Sequence, residues 1–479
     1  MIMVTRSRIL ILKLFSSTIE NANRQNLLLV VVPRGMVVHT SETLDTFVHR
    51  EGKTLMKLDV KPNETRVGPA IKGESLVFYN PAMNRSRTRS VLLMQYAIEN
   101  NLLGNGEIYA LDGLSATGLR ARRWLNELPP ESSKRINATI IDMDPEALKL
   151  ALRNHEEFPP NNKGGKLKTI RGDLRASILE QGWHWVDIDP YGSPVPFIDT
   201  AIQSIARRGI LEVSATDTAA LTGSSKNALL RRYGARVRND GLAHDSALRV
   251  LLANVARSAA RHERSIEPLM SIWDSHHLRV SVRVIRSIEN ANKVEETIGW
   301  RIYSPTIEEV KASIKIGLQP DTSLEILPMD CFLPLSHPIE RNDKRISGPL
   351  WIGKMGKKDV LAFMTEERAI EMCAPIDSKD DDLGWSEKDF EYERRRILKS
   401  VKNLSDEANG IETPHHILVD YLSSWLEIGS PPSPKKLVDL LRNNGYAAGL
   451  ANYGKKPSIR TDAPWDVIVK LTLEVHPPM

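Results

Sequence analysis

Between residues 106 and 284 the chain alternates short apolar runs with longer segments of helical spacing. Residues 108–112, 138–142, 167–171, 183–187 and 210–214 read as strands, several of them almost continuously apolar. Strands of that kind are buried on both faces, as in a parallel sheet. Helical patterns lie between them, over 120–128, 145–157 and 196–207. Asp144 is placed to cap the second helix, with Pro145 in its first turn. Repeated strand–helix–strand units predict an α/β domain, a parallel sheet covered by helices on both faces. A further helix is expected over 245–263 and an alternating strand over 277–285. Residues 289–356 mix strand-like pieces with Pro and Gly, 377–382 read as an acidic linker, and from Asp389 the pattern turns helical, with a helix over 435–443.

A chain of 479 residues exceeds what one core organises, so more than one domain is expected. The division is an extension over 1–46, an α/β domain over 47–288 and a smaller α+β C-terminal domain over 289–479. Residues 1–25 carry Arg6, Arg8, Lys13 and Arg24 against a single acid, Glu20, which fits an organellar transit peptide, a disordered extension or a start at Met36. The net charge of +5 permits a polyanionic partner without requiring one. Two distant cysteines, Cys331 and Cys373, cannot build a disulfide framework and point to a reducing compartment, the cytoplasm. No apolar run is long enough to span a membrane, and nothing indicates a protein partner.

The chemistry lies at the strand ends. Asp112-Gly-Leu-Ser-Ala-Thr-Gly118 sits where a strand turns into a helix, and its small residues let a ligand approach the backbone. The loop has neither the glycine pattern that cradles a dinucleotide nor a phosphate-binding loop with its lysine. Asp142 ends the next strand, where an acid can bind a ribose hydroxyl, and Asp173 follows the one after. Each acid could instead cap the helix that follows. Three acids suit a nucleoside ligand without phosphates, and S-adenosylmethionine is the expected cofactor.

The fourth strand ends in Asp187-Ile-Asp-Pro-Tyr-Gly-Ser-Pro194. As turn chemistry this is ordinary. It also supplies what methylation of an aromatic amine needs, since the lone pair of such an amine is delocalised into its ring. Asp189 can accept one N–H, the carbonyl of Pro190 the other, and Tyr191 can stack the base. Asp189 can then take the released proton.

Val77-Phe-Tyr-Asn-Pro-Ala-Met83, the loop from Asp112 to Arg120, the run from Asp187 to Pro194 and Ala215-Thr-Asp-Thr-Ala-Ala-Leu-Thr-Gly223 occur in an order that resembles the tRNA guanine-26 N2-dimethyltransferases of archaea and eukaryotes. Arg232-Tyr-Gly234, Gly348-Pro-Leu-Trp-Ile-Gly353 and Thr461-Asp-Ala-Pro464 agree, and the resemblance runs from about Glu51 to the C-terminus. It implies a class I, Rossmann-like methyltransferase domain, a C-terminal RNA-binding domain and a tRNA substrate, with up to two methyl transfers to N2 of guanine 26. It further implies that Arg87, Arg120, Asp142, Asp173 and Leu174 contact S-adenosylmethionine, that Asp189 and Pro190 hold the amine, and that Phe78 and Tyr191 sandwich the guanine. Asn84-Arg-Ser-Arg-Thr88 departs from the family's usual Asn-Arg-Asp, which makes Arg85 the alternative to Arg87. Many relatives carry two cysteine pairs before the Gly-Pro-Leu-Trp segment. Cys331 and His337 alone are too few ligands for a closed zinc site, so no metal is expected.

Arg231, Arg232, Arg236 and Arg238 surround Tyr233, a pattern suited to phosphate contacts with an interleaved aromatic. Arg85, Arg87 and Arg89 form a second basic group, and Lys435, Lys436, Lys455, Lys456 and Arg460 a third, so tRNA binding should weaken steeply with salt. The rivals are a methyltransferase of another amine, such as adenine N6, and a binding protein that has lost catalysis.

Overall fold

Seven strands form the central sheet, and their ends position the site. The computed structural model describes residues 46–62, 75–160, 165–274, 276–340, 342–375, 385–413, 415–451 and 456–475. The extension expected over 1–46 (Thr46 apart), the linker expected over 377–382 and Lys455 lie outside the described residues. An N-terminal hairpin, β1 (Phe47–Glu51) and β2 (Thr54–Leu58), precedes helix α1 (Asn84–Glu99). Then come β3 (Ile108–Gly113), α2 (Leu119–Glu127), β4 (Ile136–Asp142), α3 (Pro145–Glu157), β5 (Lys166–Arg171), β6 (Trp183–Ile188), α4 (Val195–Ser204) and β7 (Ile205–Ala215). Helices α5 (Lys226–Tyr233) and α6 (Ala243–Arg261) lead to β8 (Arg264–Asp274) and β9 (His277–Arg286).

The strand order is β5-β4-β3-β6-β7-β9-β8. The first five strands are parallel, and β9 and β8 close the edge antiparallel. The sheet grows outward from β3 through β4 to β5, then restarts on the other side of β3 with β6. That reversal opens a crevice beyond the carboxyl ends of β3, β4 and β6, where such sheets bind ligands. The apolar runs behave as their composition demands: Ala110, Leu111, Ile140, Ile141, Val186, Ile188, Leu211 and Val213 are all buried. Asp144 caps α3 by accepting the Glu146 N–H at 2.9 Å, with Pro145 in the first turn.

Three expectations need adjustment. The helix expected to reach Arg207 stops at Ser204, because β7 already begins at Ile205 and pairs there with Trp183. Strand β8 was hidden in the sequence by its own charged and proline positions, Arg264, Glu267 and Pro268. The helical reading after Asp389 omits a three-stranded sheet of β13 (His416–Leu418), β14 (Ala448–Ala451) and β15 (Ser458–Thr461), which lies with α8 (Pro434–Asn443) and α9 (Trp465–Val475). Strands of three or four residues are too short for a period to show. Before them, β10 (Ile298–Tyr303), β11 (Asp330–Pro334) and β12 (Ile346–Trp351) form a second antiparallel sheet, and helix α7 (Glu387–Val401) follows.

From Phe47 onward the chain packs as one unit. Arg249 of α6 donates to the Trp351 carbonyl at 3.0 Å, and Arg89 of α1 donates to that of Ser400 on α7, also at 3.0 Å. No helix among the described residues is long and apolar enough to cross a membrane.

Candidate active site

The loop from β3 into α2 places Leu114, Ala116 and Gly118 at positive φ, 60°, 46° and 62°. Asp142, at the end of β4, secures the loop: one carboxylate oxygen accepts the Ala116 N–H at 2.8 Å and the other the Asp144 N–H at 2.9 Å. Both oxygens keep lone pairs for a ligand. Gly113 lets neighbours close in, since a Cβ there would lie 2.9 Å from both the Asp187 carbonyl and the buried side chain of Leu174. Leu174 thus reaches the crevice beside Asp173. Asp173 is the cap of the following helical turn, accepting the Arg175 N–H at 2.9 Å, and bonding to Arg175 holds its carboxyl down at about 2. Of the three strand-end acids, Asp173 caps the helical turn that follows it and Asp112 accepts the Ala121 N–H in the first turn of α2 at 3.2 Å, while Asp142 holds the β3 loop instead.

Across the sheet, register aligns Asp112 (β3), Asp187 (β6), Glu212 (β7) and Ser281 (β9) in one row on one face. Two guanidiniums cross it. Arg120, near the start of α2, reaches Asp189 through Nη2 at 2.7 Å and Asp187 through Nε at 3.3 Å. Arg279 of β9 binds Asp187, meets Glu212 at 3.1 Å and donates to the Ser214 hydroxyl at 2.6 Å. Four acids therefore face two arginines. Burial pushes Asp112 up to about 6 against the pull of Arg120, and it raises Glu212 as well. Two atoms in this cluster are buried without a hydrogen-bond partner among the described residues, the donor Arg120 Nη1 and the acceptor Asp187 Oδ1. An unpaired donor and an unpaired acceptor in an acidic site suit a zwitterion carried on a cation.

Asp189, Pro190 and Tyr191 follow β6. Their turn is fixed from β7: Gly192 N–H donates to Thr216 Oγ1 at 2.6 Å, and Thr216 N–H donates to the Gly192 carbonyl at 3.0 Å. Gly192 has φ 79°, which favours glycine. Tyr191 is 63% exposed, and its ring meets that of Phe78 edge-on, centroids 4.7 Å apart. Burial of the hydroxyl, then Asp142 and Asp189, raises its pKa, so the phenol stays protonated.

Arg87 stands apart from this row. It is buried, and among the described residues its hydrogen bonds go to Glu51, through both Nε and Nη2 at 2.5 Å, and to the Asn80 carbonyl at 2.9 Å. Burial works to raise Glu51, but Arg87 and Arg123 outweigh it and hold that carboxyl well below its usual range. Arg85, the alternative, pairs with Asp274 at 3.2 Å and is 43% exposed.

Reasoning from sequence missed Arg279, Glu212, Thr216 and His277. A signal existed. Strand β9 alternates Leu278, Val280 and Val282 with His277, Arg279 and Ser281, all buried. In a sheet covered on both faces, the polar half of such a strand lines a site and not solvent. His277 is buried with no hydrogen bond to either ring nitrogen among the described residues, and burial lowers it to about 4.

The basic groups need correction. Arg87, Arg89 and Arg460 are buried in ion pairs with Glu51, Asp274 and Asp245, so they present nothing to RNA. Tyr233 is a core residue and no interleaved aromatic, whereas Arg231, Arg232 and Arg236 are exposed.

A Rossmann-like sheet with acids at its switch point and an Asp-Pro-aromatic turn beyond β6 defines a class I methyltransferase of an exocyclic amine. The family profile described as N2,N2-dimethylguanosine tRNA methyltransferase matches residues 56–473, and the chain belongs to that family. A tRNA (guanine(26)-N(2))-dimethyltransferase of Thermococcus kodakarensis is 29% identical, over 83% of this chain and 93% of the relative. The enzyme of the same description from Methanocorpusculum labreanum is 31% identical, over 87% and 94%. The solved structure of Trm1 from Pyrococcus horikoshii with S-adenosyl-L-methionine shares the fold, with a TM-score of 0.66 and 23% identity over 89% of this chain and 99% of that one.

Proposed function

We propose that the chain transfers one or two methyl groups from S-adenosylmethionine to the exocyclic N2 of guanine 26 in tRNA, giving N2,N2-dimethylguanosine. The observation that carries this reading is the Arg120–Asp189 pair at the end of β6, beside Pro190 and the facing rings of Phe78 and Tyr191. Residues 47–288 act as the methyltransferase domain and 289–479 as the RNA-binding domain, in the cytoplasm.

Arg120, Asp142, Asp173 and Leu174 hold the cofactor, and Arg87, which the resemblance adds to them, must exchange Glu51 or Asn80 to reach it. The fit is chemical: the buried Arg120 Nη1 lacks an acceptor that a carboxylate supplies, and the surplus of acid over guanidinium favours a cationic ligand. S-adenosylmethionine supplies a methyl group activated on a sulfonium. Asp189 accepts one N–H of the guanine amine and the Pro190 carbonyl the other, which turns the nitrogen lone pair out of conjugation and aims it. The methyl group would leave the sulfonium sulfur for the amine nitrogen, and the nitrogen would shed one proton to the Asp189 carboxylate, which Arg120 holds at 2.7 Å. A second transfer uses the remaining N–H in the same way. Phe78 and Tyr191 must part to take the guanine between them, so the base enters extruded from its stack. Arg231, Arg232 and Arg236 are placed for phosphate contacts.

Mass analysis of nucleosides after incubating unmodified tRNA with the protein and labelled cofactor tests this. Mono- and dimethylguanosine at position 26 are expected. Methyladenosine, or tight binding without product, overturns it.

A further inference from the structure

We infer that Arg279 is a positioning residue for methyl transfer, acting through Asp187 and Arg120 on the carboxylate of Asp189. This rests on the role given to Asp189 above. Arg279 is 2% exposed and held on three sides: by Asp187 on β6, by Glu212 at 3.1 Å and by the Ser214 hydroxyl at 2.6 Å on β7. Glu212 is held in turn by the hydroxyls of Ser281, at 2.8 Å, and Ser90. Arg279, Glu212 and Ser214, the members of this clamp beyond Asp187, are all buried. The clamp's product is the orientation of Asp187, whose Oδ2 is shared between Arg279 and Arg120 Nε. Because Arg279 supplies most of what Asp187 requires, Arg120 is free to turn Nη2 outward to Asp189 at 2.7 Å.

Without Arg279 the charges redistribute. The groups facing this point are Asp112 from β3, Arg120 from α2, Asp187 and Asp189 from β6, Glu212 from β7, His277 from β9 and Arg89 from α1. Arg89 is committed to Asp274 at 2.6 Å, which leaves Arg120, among the described residues, as the guanidinium for Asp187, Glu212 and Asp189. The deeper carboxylates are less solvated and draw it inward. Asp189 then loses the contact that aims its carboxylate, and the amine no longer finds its acceptor in place.

The test uses the full chain and unmodified tRNA, with Arg279→Lys, Arg279→Met and the double variant Arg279→Met/Glu212→Gln. The double variant removes one acid with one cation, so it offsets the stability loss that the single change brings. In the double variant the single-turnover rate is expected to fall at least about tenfold with the KM for tRNA nearly unchanged. Arg279→Lys, which keeps the charge, should return part of that rate, again with KM nearly unchanged. A rate within about twofold of wild type in the folded double variant overturns the inference, as does a lost rate that Arg279→Lys does not restore in part or that comes with an equal loss of tRNA affinity, the mark of a purely structural role. Asp189→Ala run in parallel separates the two proposals. An active Asp189→Ala sinks the reading of the site, whereas an inactive one beside fully active Arg279 variants sinks this inference alone.

Discussion

Asp112 shows how burial alone can tune a residue in this site. Its carboxyl is pushed up to about 6 from an ordinary 3.8, chiefly by desolvation, with Arg120 and the Ala121 N–H pulling the other way. A raised carboxyl binds its proton more tightly in the folded chain than in the unfolded one. Its contribution to stability therefore declines as the pH rises from about 4 through 6 and is level beyond. A cationic ligand reverses the preference by favouring the ionised form. Affinity for S-adenosylmethionine is expected to rise between pH 5 and pH 7, and to rise less for the demethylated product, which has lost the sulfonium charge. Calorimetric titration across that range checks this, and Asp112→Asn should flatten the difference. The strand-end acids were legible in the sequence. Their partners were not, because Arg279 stands 92 positions from Asp187 in the chain.

At the scale of elements, the loop between β3 and α2 depends on Gly118. Its φ of 62° is left-handed, and a Cβ there would lie 2.9 Å from that of Ala151 and 3.1 Å from Ile140 Cδ1. Gly118→Ala therefore meets a backbone penalty of about 1–2 kcal/mol and a steric one against α3 and β4. Relief comes from shifting the loop, which drags Ala116 away from Asp142. The expected outcome is a lower Tm together with cofactor affinity weakened at least about tenfold, read by thermal melts and titration. Wild-type affinity at a reduced Tm would detach the loop from the cofactor. The small residues of 113–118 marked this loop in the sequence; the three positive φ angles that give it its shape are visible only in the fold.

Over the whole molecule, the two halves of the chain are joined by a buried ion network. Asp245, on α6, accepts Arg249 Nε and Arg460 Nη2, each at 2.6 Å, and Arg460 Nε lies 3.4 Å from Glu407. Burial favours protonation of Asp245, but Arg249 and Arg460 overcome it and hold the carboxyl well below 3.8. The stability this brings is present at neutral pH and lost as pH falls. Removing one partner leaves a buried carboxylate half-paired, so Arg460→Met is expected to cost about 3–5 kcal/mol in urea unfolding. The loss should shrink in acid, as Asp245 takes up a proton in the variant. A cost below about 1 kcal/mol would show that the network does not hold the C-terminal segment in place.

The sequence by itself determined the α/β alternation, the positions of the strand ends and the chemistry available there, since burial on two faces and tight turns leave periodic, local marks. Its resemblance to a family supplied the guanine, the tRNA and the cofactor contacts. The tertiary structure alone decided that Arg87, Arg89 and Arg460 are interior ion-pair partners and not an RNA surface, and that Arg120 reaches Asp189. Charged residues look alike in a sequence whether they face solvent or another charge. Only the folding of distant strands into one register settles which carboxylate each guanidinium meets.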